Sequence, residues 1–287
     1  MTSLIGRNTL SLVIGNGYLG SYLIPLLNTY LTYGISRHLK EQCLIPATGK
    51  FMGLECDVFN EKNLNKIRPI CDNTLIDVYF MLPPSAFPFN EPASSLEPLF
   101  DLLSSFTVRR IVVVSSSAVY GTQRNGLVSA ESAVDVSTER AARLVKIEEA
   151  WTSVFPTVSI VRLAGLYGPS RVPGGSSLLA GQVLDGRGDS YLNLLRIEDA
   201  AKAVHSVMNL KYLRLVSLFS DGCPVERLQY YAFLAKQLGG CKSPRFSGLP
   251  KGSKRCDPAS SWEAISCGPR YGSYQEGVLD LFYSGNG

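Results

Sequence analysis

The chain has 287 residues, 45% of them hydrophobic and 18% charged, a formal net charge of +4 and only two histidines. That length buries most of its own apolar surface without disulfide or metal staples, and the composition excludes disorder as the dominant state. His38 and His205 are too few for a multi-histidine metal site, and Ser-His-Asp hydrolysis would have to rest on one of them. Seven cysteines, an odd count with no C-x-x-C spacing, argue against a zinc site and a disulfide framework and fit a reducing cytoplasm. Residues 1–7 lack the basic, apolar and small-residue blocks of a signal peptide, and no apolar run of about 18 residues predicts a membrane span. The net charge is too small, and Lys251, Lys254 and Arg255 too interrupted, to predict a nucleic-acid partner.

Residues 10–14 are nearly all apolar, the pattern of a central parallel strand buried on both faces. Gly15-Asn16-Gly17-Tyr18-Leu19-Gly20 follows, and an apolar helical stretch runs on through Leu27. Further buried strands are expected at 31–36, 51–55, 75–81, 110–115 and 158–163, with helices near 61–68, 92–106 and 138–154. This alternation predicts an α/β fold, a Rossmann-type doubly wound parallel sheet with right-handed crossovers. Beyond about 165 the elements shorten, and Pro173-Gly174-Gly175 and Gly186-Arg187-Gly188 mark breaks. The expected organisation is a dinucleotide-binding core over 1–165 and a smaller C-terminal substrate lobe, mainly 166–287, that closes over it and returns to the core near 190–205.

G-x-G-x-x-G is a weak signal alone, but here it follows a predicted strand and opens a predicted helix. Gly15 permits the tight turn, Gly17 lets the backbone approach a pyrophosphate, and Gly20 lets helix and strand pack closely. The pyrophosphate would rest on the helix N-terminus. The second strand ends Ser36-Arg37, and no Asp or Glu lies between Gly20 and Arg37; the first acid is Glu41. An acid there would hold ribose hydroxyls and an Arg accommodates a 2′-phosphate, so NADP(H) is favoured over NAD(H). His38 stands beside the same phosphate or in solvent and takes no chemistry.

These residues resemble the extended and atypical short-chain dehydrogenase/reductase superfamily, the NAD-dependent epimerase/dehydratase relatives, over nearly the whole chain. Val13–Gly20 looks like the superfamily's cofactor turn, and Cys56-Asp57-Val58 like the motif whose Asp and following N–H hold adenine. Val113-Val114-Ser115-Ser116-Ser117-Ala118-Val119-Tyr120-Gly121 matches its "SS..VYG" signature, and Arg162–Pro169, which includes Leu163, its "LR..GIYGP". Residues 193–201 resemble "NRIHVDDLA" with Arg196 where His is usual, and Ser253-Lys254-Arg255 and 269–277 resemble the C-terminal "KR" and "YP.Y.EG" elements. The resemblance implies Met81, Leu82 and Pro83 as an apolar wall over the cofactor, and Ser115 and Leu163 beside it.

One departure bears on the chemistry. Typical members carry Tyr-x-x-x-Lys on the helix after the "VYG" strand, where i, i+4 spacing sets both on one face and the ammonium lowers the phenol pKa. No Tyr occurs between Gly121 and Leu166, and Tyr-x-x-x-Lys occurs nowhere in the chain. What remains is Ser116, matching the family's catalytic Ser/Thr, or alternatively a capping hydroxyl. Tyr120 and Tyr167 are candidate proton donors, although the "VYG" Tyr more often packs structurally. Arg140 falls closest to the missing Tyr if Glu148 is aligned with the family's helix-ending Glu. It cannot act as an acid at neutral pH but can orient an anion.

The expected function is an NADP(H)-binding reductase or epimerase-like enzyme acting on a small carbonyl or sugar-nucleotide-like substrate with a non-standard proton donor. Two alternatives stay open: a non-redox cyclase, lyase or isomerase on the same scaffold, and a non-catalytic NADP(H)-sensing protein. A substrate-sized cavity lined by Ser116, Tyr167 and Arg196 would count against the sensor. The chain is expected to be a cytoplasmic monomer or homodimer without metal, membrane or nucleic-acid partners.

Overall fold

A computed structural model describes residues 9–38, 46–71, 74–87, 91–121, 126–239, 243–249 and 253–283. The chain opens with β1 (Thr9–Ile14), α1 (Tyr18–Leu23), β2 (Leu31–Ser36) and β3 (Lys50–Glu55). Two short helices, α2 (Glu61–Leu64) and α3 (Arg68–Cys71), precede β4 (Leu75–Phe80) and α4 (Pro92–Ser104). Then come β5 (Thr107–Ser116), β6 (Leu127–Val128), α5 (Glu139–Val154) and β7 (Val158–Leu163). β8 (Gly165–Tyr167), α6 (Gly175–Leu179), β9 (Tyr191–Leu192), β10 (Leu194–Arg196), α7 (Ile197–Met208) and β11 (Val216–Phe219) follow. The last elements are β12 (Val225–Glu226), α8 (Arg227–Leu238), β13 (Arg255–Cys256), α9 (Ala259–Ala264) and α10 (Tyr274–Tyr283).

Seven strands form one parallel sheet in the order β11-β7-β5-β4-β1-β2-β3. The order reverses at β1, from which the chain runs outward first through β2 and β3 and then through β4 and β5, the doubly wound topology expected. β1 and β7 are buried at every position, as mostly apolar strands with a covered sheet face on either side should be, and Thr9, Ser11, Ser159 and Arg162 are buried with the rest. β3 departs from the expectation of a buried strand. It is the sheet's edge, Met52 is half-exposed, and the charged Lys50 and Glu55 bound it.

β5 also begins three residues earlier than apolarity alone suggests. Its first turn of charge is neutralised on the spot: Arg109 Nε donates to Asp77 Oδ1 at 2.6 Å, and its Nη2 donates to Asp77 Oδ2. Arg110 Nη1 donates to the carbonyl of Met208, the last residue of α7, at 3.2 Å and to that of Leu210, just beyond it, at 2.7 Å. The helix expected to run to Leu27 stops at Leu23 and tightens into a 3₁₀ turn, Ile24–Leu26, at Pro25, which has no N–H to continue the ladder.

The chain forms two compact units interleaved along the sequence. Unit 1 comprises Met1–Ser115, Ala142–Val161 and Ala201–Val216. Its core is centred on Trp151, fully buried and packed on Phe80 at 4.9 Å, Phe100 at 4.8 Å and Phe155 at 5.7 Å between ring centres. Unit 2 comprises Ser116–Ala141, Arg162–Ala200 and Ser217–Gly287. It has its own core of Tyr167, Leu178, Leu194, Tyr230, Tyr274 and Val278 among others.

Candidate active site

Unit 1 brings the glycine turn together with two strand ends. Gly15 N donates to Ile35 O at 2.9 Å, and Met81 N donates to Ile14 O at 2.8 Å. Gly15 sits at φ +98, where L side chains are strained, and a Cβ there would stand 3.0 Å from the Met81 carbonyl carbon and 3.2 Å from Leu82. Gly20 has Asn16 Oδ1 at 3.1 Å from the same imagined atom, so helix and turn meet as tightly as the spacing of glycines suggests. Gly17 is exposed and a Cβ on it would meet nothing within 4 Å. Asn16 Oδ1 is buried without a hydrogen-bond partner. Tyr18 and Leu19 open α1, which is only six residues long.

At the end of β2, Ser36 Oγ donates to the carbonyl of His38 at 2.9 Å, and Arg37 and His38 are exposed. Cys56 N donates to Ser36 O at 2.9 Å, which sets Asp57 and Val58 beside that strand end. Asp57 Oδ1 accepts from Phe59 N at 3.1 Å, and Val58 is buried. Met81 and Leu82 are half-buried and Pro83 is exposed. Glu41, named above as the first acid after the turn, lies outside the described residues.

Ser115 makes a contact that the sequence does not announce. Its Oγ donates to Glu148 Oε1 of α5 at 2.5 Å, with both residues buried.

Ser116, Tyr120, Arg140, Leu163 and Tyr167 belong to unit 2. Ser116 Oγ accepts from Ala118 N at 3.2 Å and so caps the 3₁₀ turn Ser117–Tyr120, leaving its own proton to donate. Tyr120 is fully buried beneath the Arg162 guanidinium, whose Nη1 donates to its hydroxyl at 3.0 Å. Tyr167 is also fully buried; its hydroxyl has no hydrogen-bond partner and faces Gly277, whose missing side chain gives it room. Burial pushes the Tyr167 pKa up, and the neighbouring Asp221 carboxylate adds to the shift. Leu163 is buried and Arg140 is exposed in the first turn of α5.

Arg196 is 2% exposed and fully engaged in unit 2. It donates to Glu198 Oε2 at 2.8 Å, to Asp280 Oδ2 at 2.9 Å and to the Gly277 carbonyl, and lies 4.5 Å over the Tyr271 ring. Asp199 accepts from the N–H groups of Arg270 and Tyr271 at 2.8 and 3.2 Å. The residues resembling "HVDD" therefore hold the C-terminal segment. A 380 Å³ cavity in unit 2 is lined by Tyr191, Gly222, Arg255 and Cys256 among others.

Missed by sequence reasoning are Asp221 and Lys254. Asp221 is buried, with Oδ1 accepting from Cys223 N at 3.0 Å and Oδ2 without a partner, and burial raises its pKa to about 7. Lys254 Nζ donates to Gly121 O at 3.3 Å, and burial lowers its pKa. The resemblance of Ser253-Lys254-Arg255 to "KR" was the signal available for Lys254.

No protein-family profile matches the chain. Protein YeeZ of Escherichia coli K12 is 28% identical over 160 residues, 53% of this chain and 54% of that one, so the chain matches about half the length of this relative. Solved structures match nearly end to end at lower identity. A dTDP-glucose 4,6-dehydratase from Bacillus anthracis in complex with NAD superposes with a TM-score of 0.75 at 16% identity, covering 97% of each chain. The UDP-glucuronic acid 4-epimerase of Bacillus cereus, with UDP-glucuronic acid and NAD, gives 0.72 at 17% identity over 96% and 99%. The ADP-L-glycero-D-manno-heptose-6-epimerase of Helicobacter pylori gives 0.73 at 14% identity over 98% and 97%. These structural neighbours are thus epimerases and a dehydratase, and the chain has their fold.

Proposed function

We propose that the chain is an NADP(H)-binding reductase or epimerase-like enzyme acting on a small carbonyl or sugar-nucleotide-like substrate. The observation that carries this reading is the cradle in unit 1. Gly17 is open, and a side chain on Gly15 would be strained and pressed against Met81 and Leu82, which together fit the close backbone approach of a dinucleotide's pyrophosphate. The residues that would hold it are Gly15, Asn16, Gly17, Tyr18, Leu19 and Gly20 at the pyrophosphate, Asp57 and Val58 at adenine, and Met81, Leu82, Pro83, Ser115 and Leu163 along the nicotinamide half. When bound, the cofactor supplies or takes a hydride.

Ser36 and the exposed Arg37, with no acid between Gly20 and Arg37, support a 2′-phosphate. The neighbours bound to NAD make NAD(H) the competing choice. Ser116, whose oxygen is occupied by Ala118 N but whose proton is not, would donate to a substrate oxygen. Arg140 would orient an anionic substrate group. The enclosure of Tyr120 and Tyr167 favours a proton donor other than these two phenols, and it gives the non-redox isomerase or lyase reading its support. Substrate binding is assigned mainly to residues 166–287, and the scattered cysteines support a reducing, cytoplasmic setting for a monomer or homodimer.

Calorimetric titration with NADPH and NADH, wild type against Gly17→Val, tests the reading. A Cβ at Gly17 meets no protein atom, so the variant should keep the wild-type Tm and lose at least about tenfold in affinity. Undiminished binding in Gly17→Val, or no nucleotide binding by the wild type, would sink it. Stopped-flow absorbance at the reduced-nicotinamide band with nucleotide-sugar and carbonyl substrates then separates the redox from the non-redox branch.

A further inference from the structure

The seven strands run parallel, so their starts share one edge of the sheet, and the glycine turn that follows β1 stands at the other. At the starting edge unit 1 leaves large apolar side chains in solvent. Between α7 and β11 the chain reads Lys211-Tyr212-Leu213-Arg214-Leu215; Tyr212 is 75% exposed, and Leu213 and Leu215 are half-exposed. Val154, which ends α5 ahead of β7, and Tyr30, directly ahead of β2, are exposed along the same edge. Isolated apolar residues on a surface are ordinary, but three within four residues form a patch of the kind that marks an interaction site.

The patch is held at both ends and carries one sign of charge. Arg110 Nη1 donates to the carbonyls of Met208 and Leu210 at its start, and Ile160 N donates to Leu215 O at 2.7 Å at its end. The tip between them is displayed by a fixed backbone, which lowers the ordering cost of binding. Lys211 and Arg214 are the only charged residues of 209–216. Lys211 Nζ stands 5.2 Å from the centre of the Tyr212 ring, and Arg214 Nε donates to Val216 O at 3.0 Å. Farther along the edge, Lys50 opens β3 beside Tyr30, whose carbonyl accepts from Lys50 N at 3.2 Å. Strands β11 and β2 lie five spacings apart in the sheet, about 24 Å.

We propose that this edge is a peripheral membrane contact. Tyr212, Leu213 and Leu215 enter the headgroup layer of an anionic bilayer, Lys211 and Arg214 supply attraction to its phosphates, and Tyr30 with Lys50 makes a second, separate foothold. A Tyr has an apolar body and a polar tip, which suits the boundary between headgroups and acyl chains. A five-residue tip is far short of the roughly 20–30 residues a side in a stable protein interface. A planar lipid surface instead accepts separate footholds without matching their shape, and binding grows with apolar area and with anionic lipid. The sequence expectation of no membrane partner rests on the lack of a spanning segment, which such a contact does not need. No helix of the described residues is long and apolar enough to cross a membrane. The contact is independent of any reaction at the glycine turn, which stands at the opposite edge.

Co-sedimentation of the full chain with phosphatidylcholine vesicles, with and without phosphatidylglycerol, tests this. The chain should pellet with the anionic vesicles and much less with phosphatidylcholine alone, and raised salt should weaken the binding. Tyr212→Ser with Leu213→Ser and Leu215→Ser should lose at least about tenfold in partitioning, as should Lys211→Gln with Arg214→Gln, each at the wild-type Tm. The chain is basic overall, so Lys62→Gln with Lys236→Gln, which removes two exposed cations elsewhere, is the control and should lose far less. In Tyr212→Trp, emission should shift to the blue only when anionic vesicles are added, since Trp151 and Trp262 are already buried. No partitioning of the wild type, an equal loss in the control pair, or an unshifted Tyr212→Trp spectrum overturns the proposal. Retention on a glutamate–tyrosine copolymer without vesicle binding assigns the edge to an acidic protein partner and overturns it as well.

Discussion

Ser115 Oγ and Glu148 Oε1 meet at 2.5 Å in the interior of unit 1, joining the end of β5 to the middle of α5. A carboxylate accepting from a buried hydroxyl fixes the rotation of its helix, and with it every other position on that helix. Arg140 and Leu144 stand eight and four residues before Glu148, where the superfamily resemblance leads one to look for Tyr and Lys. Leu144 is buried and Arg140 is exposed. The helix has this anchor, and neither position carries Tyr or Lys.

Removing the anchor is a measurable loss. Glu148→Ala strands the Ser115 hydroxyl and should cost roughly 1–3 kcal/mol in urea unfolding, while Ser115→Ala with Glu148→Leu should cost less than Glu148→Ala alone. If the single and double variants unfold at the same urea concentration as the wild type, the pair contributes nothing.

The Arg196 network predicts where the C-terminal helix comes loose. Arg196→Met leaves Glu198 and Asp280, which are about two-thirds buried, without their cation. Breaking one side of such a pair costs on the order of 3–5 kcal/mol when deeply buried, and less here. Hydrogen exchange in Tyr274–Tyr283 should accelerate well before exchange in β1. Uniform acceleration across both units would contradict a local anchoring role.

Gly277 and Tyr167 form a size-complementary pair. A methyl on Gly277 would overlap the Tyr167 hydroxyl, so Gly277→Ala should destabilise by roughly 1–3 kcal/mol. Adding Tyr167→Phe removes the clashing oxygen and an unpartnered polar atom together, and should recover part of that loss. An additive double variant would show that the two do not couple.

Asp221 gives a pH dependence with a definite sign. An unfolded aspartate titrates near pH 3.9, whereas burial raises Asp221 to about 7 in the folded protein. Between these values the folded state keeps a proton that the unfolded state has released. The associated stability is fully present below about pH 4 and is lost as pH rises through about 7, by at most about 4 kcal/mol. Asp221→Asn keeps an acceptor for Cys223 N–H and cannot ionise, so its Tm should fall less than the wild type's between pH 4.5 and 8. Parallel Tm curves for the two proteins would rule this out.

Sheet and cradle were legible because their signals are local. A mostly apolar run such as Leu10–Ile14 reads as a strand buried on both faces, and G-x-G-x-x-G after such a run reads as a turn that must admit close backbone contact. β3 was misjudged because an edge and a central strand carry similar short runs, and strand order is a property of the sheet. The early start of β5 was hidden by Arg109 and Arg110, whose charges are tolerable only because Asp77 and the carbonyls after α7 lie beside them.

By itself, then, the sequence determined the alternation of strands and helices, the glycine cradle with no acid between Gly20 and Arg37, and the absence of Tyr-x-x-x-Lys. Only the tertiary structure decided which polar groups meet: Ser115 with Glu148, Arg196 with Asp280, and Lys254 with Gly121. The physical reason is range. Backbone geometry and apolar periodicity act over a few residues, whereas a buried polar group must find its partner wherever packing brings one, here 33, 84 and 133 residues away along the chain.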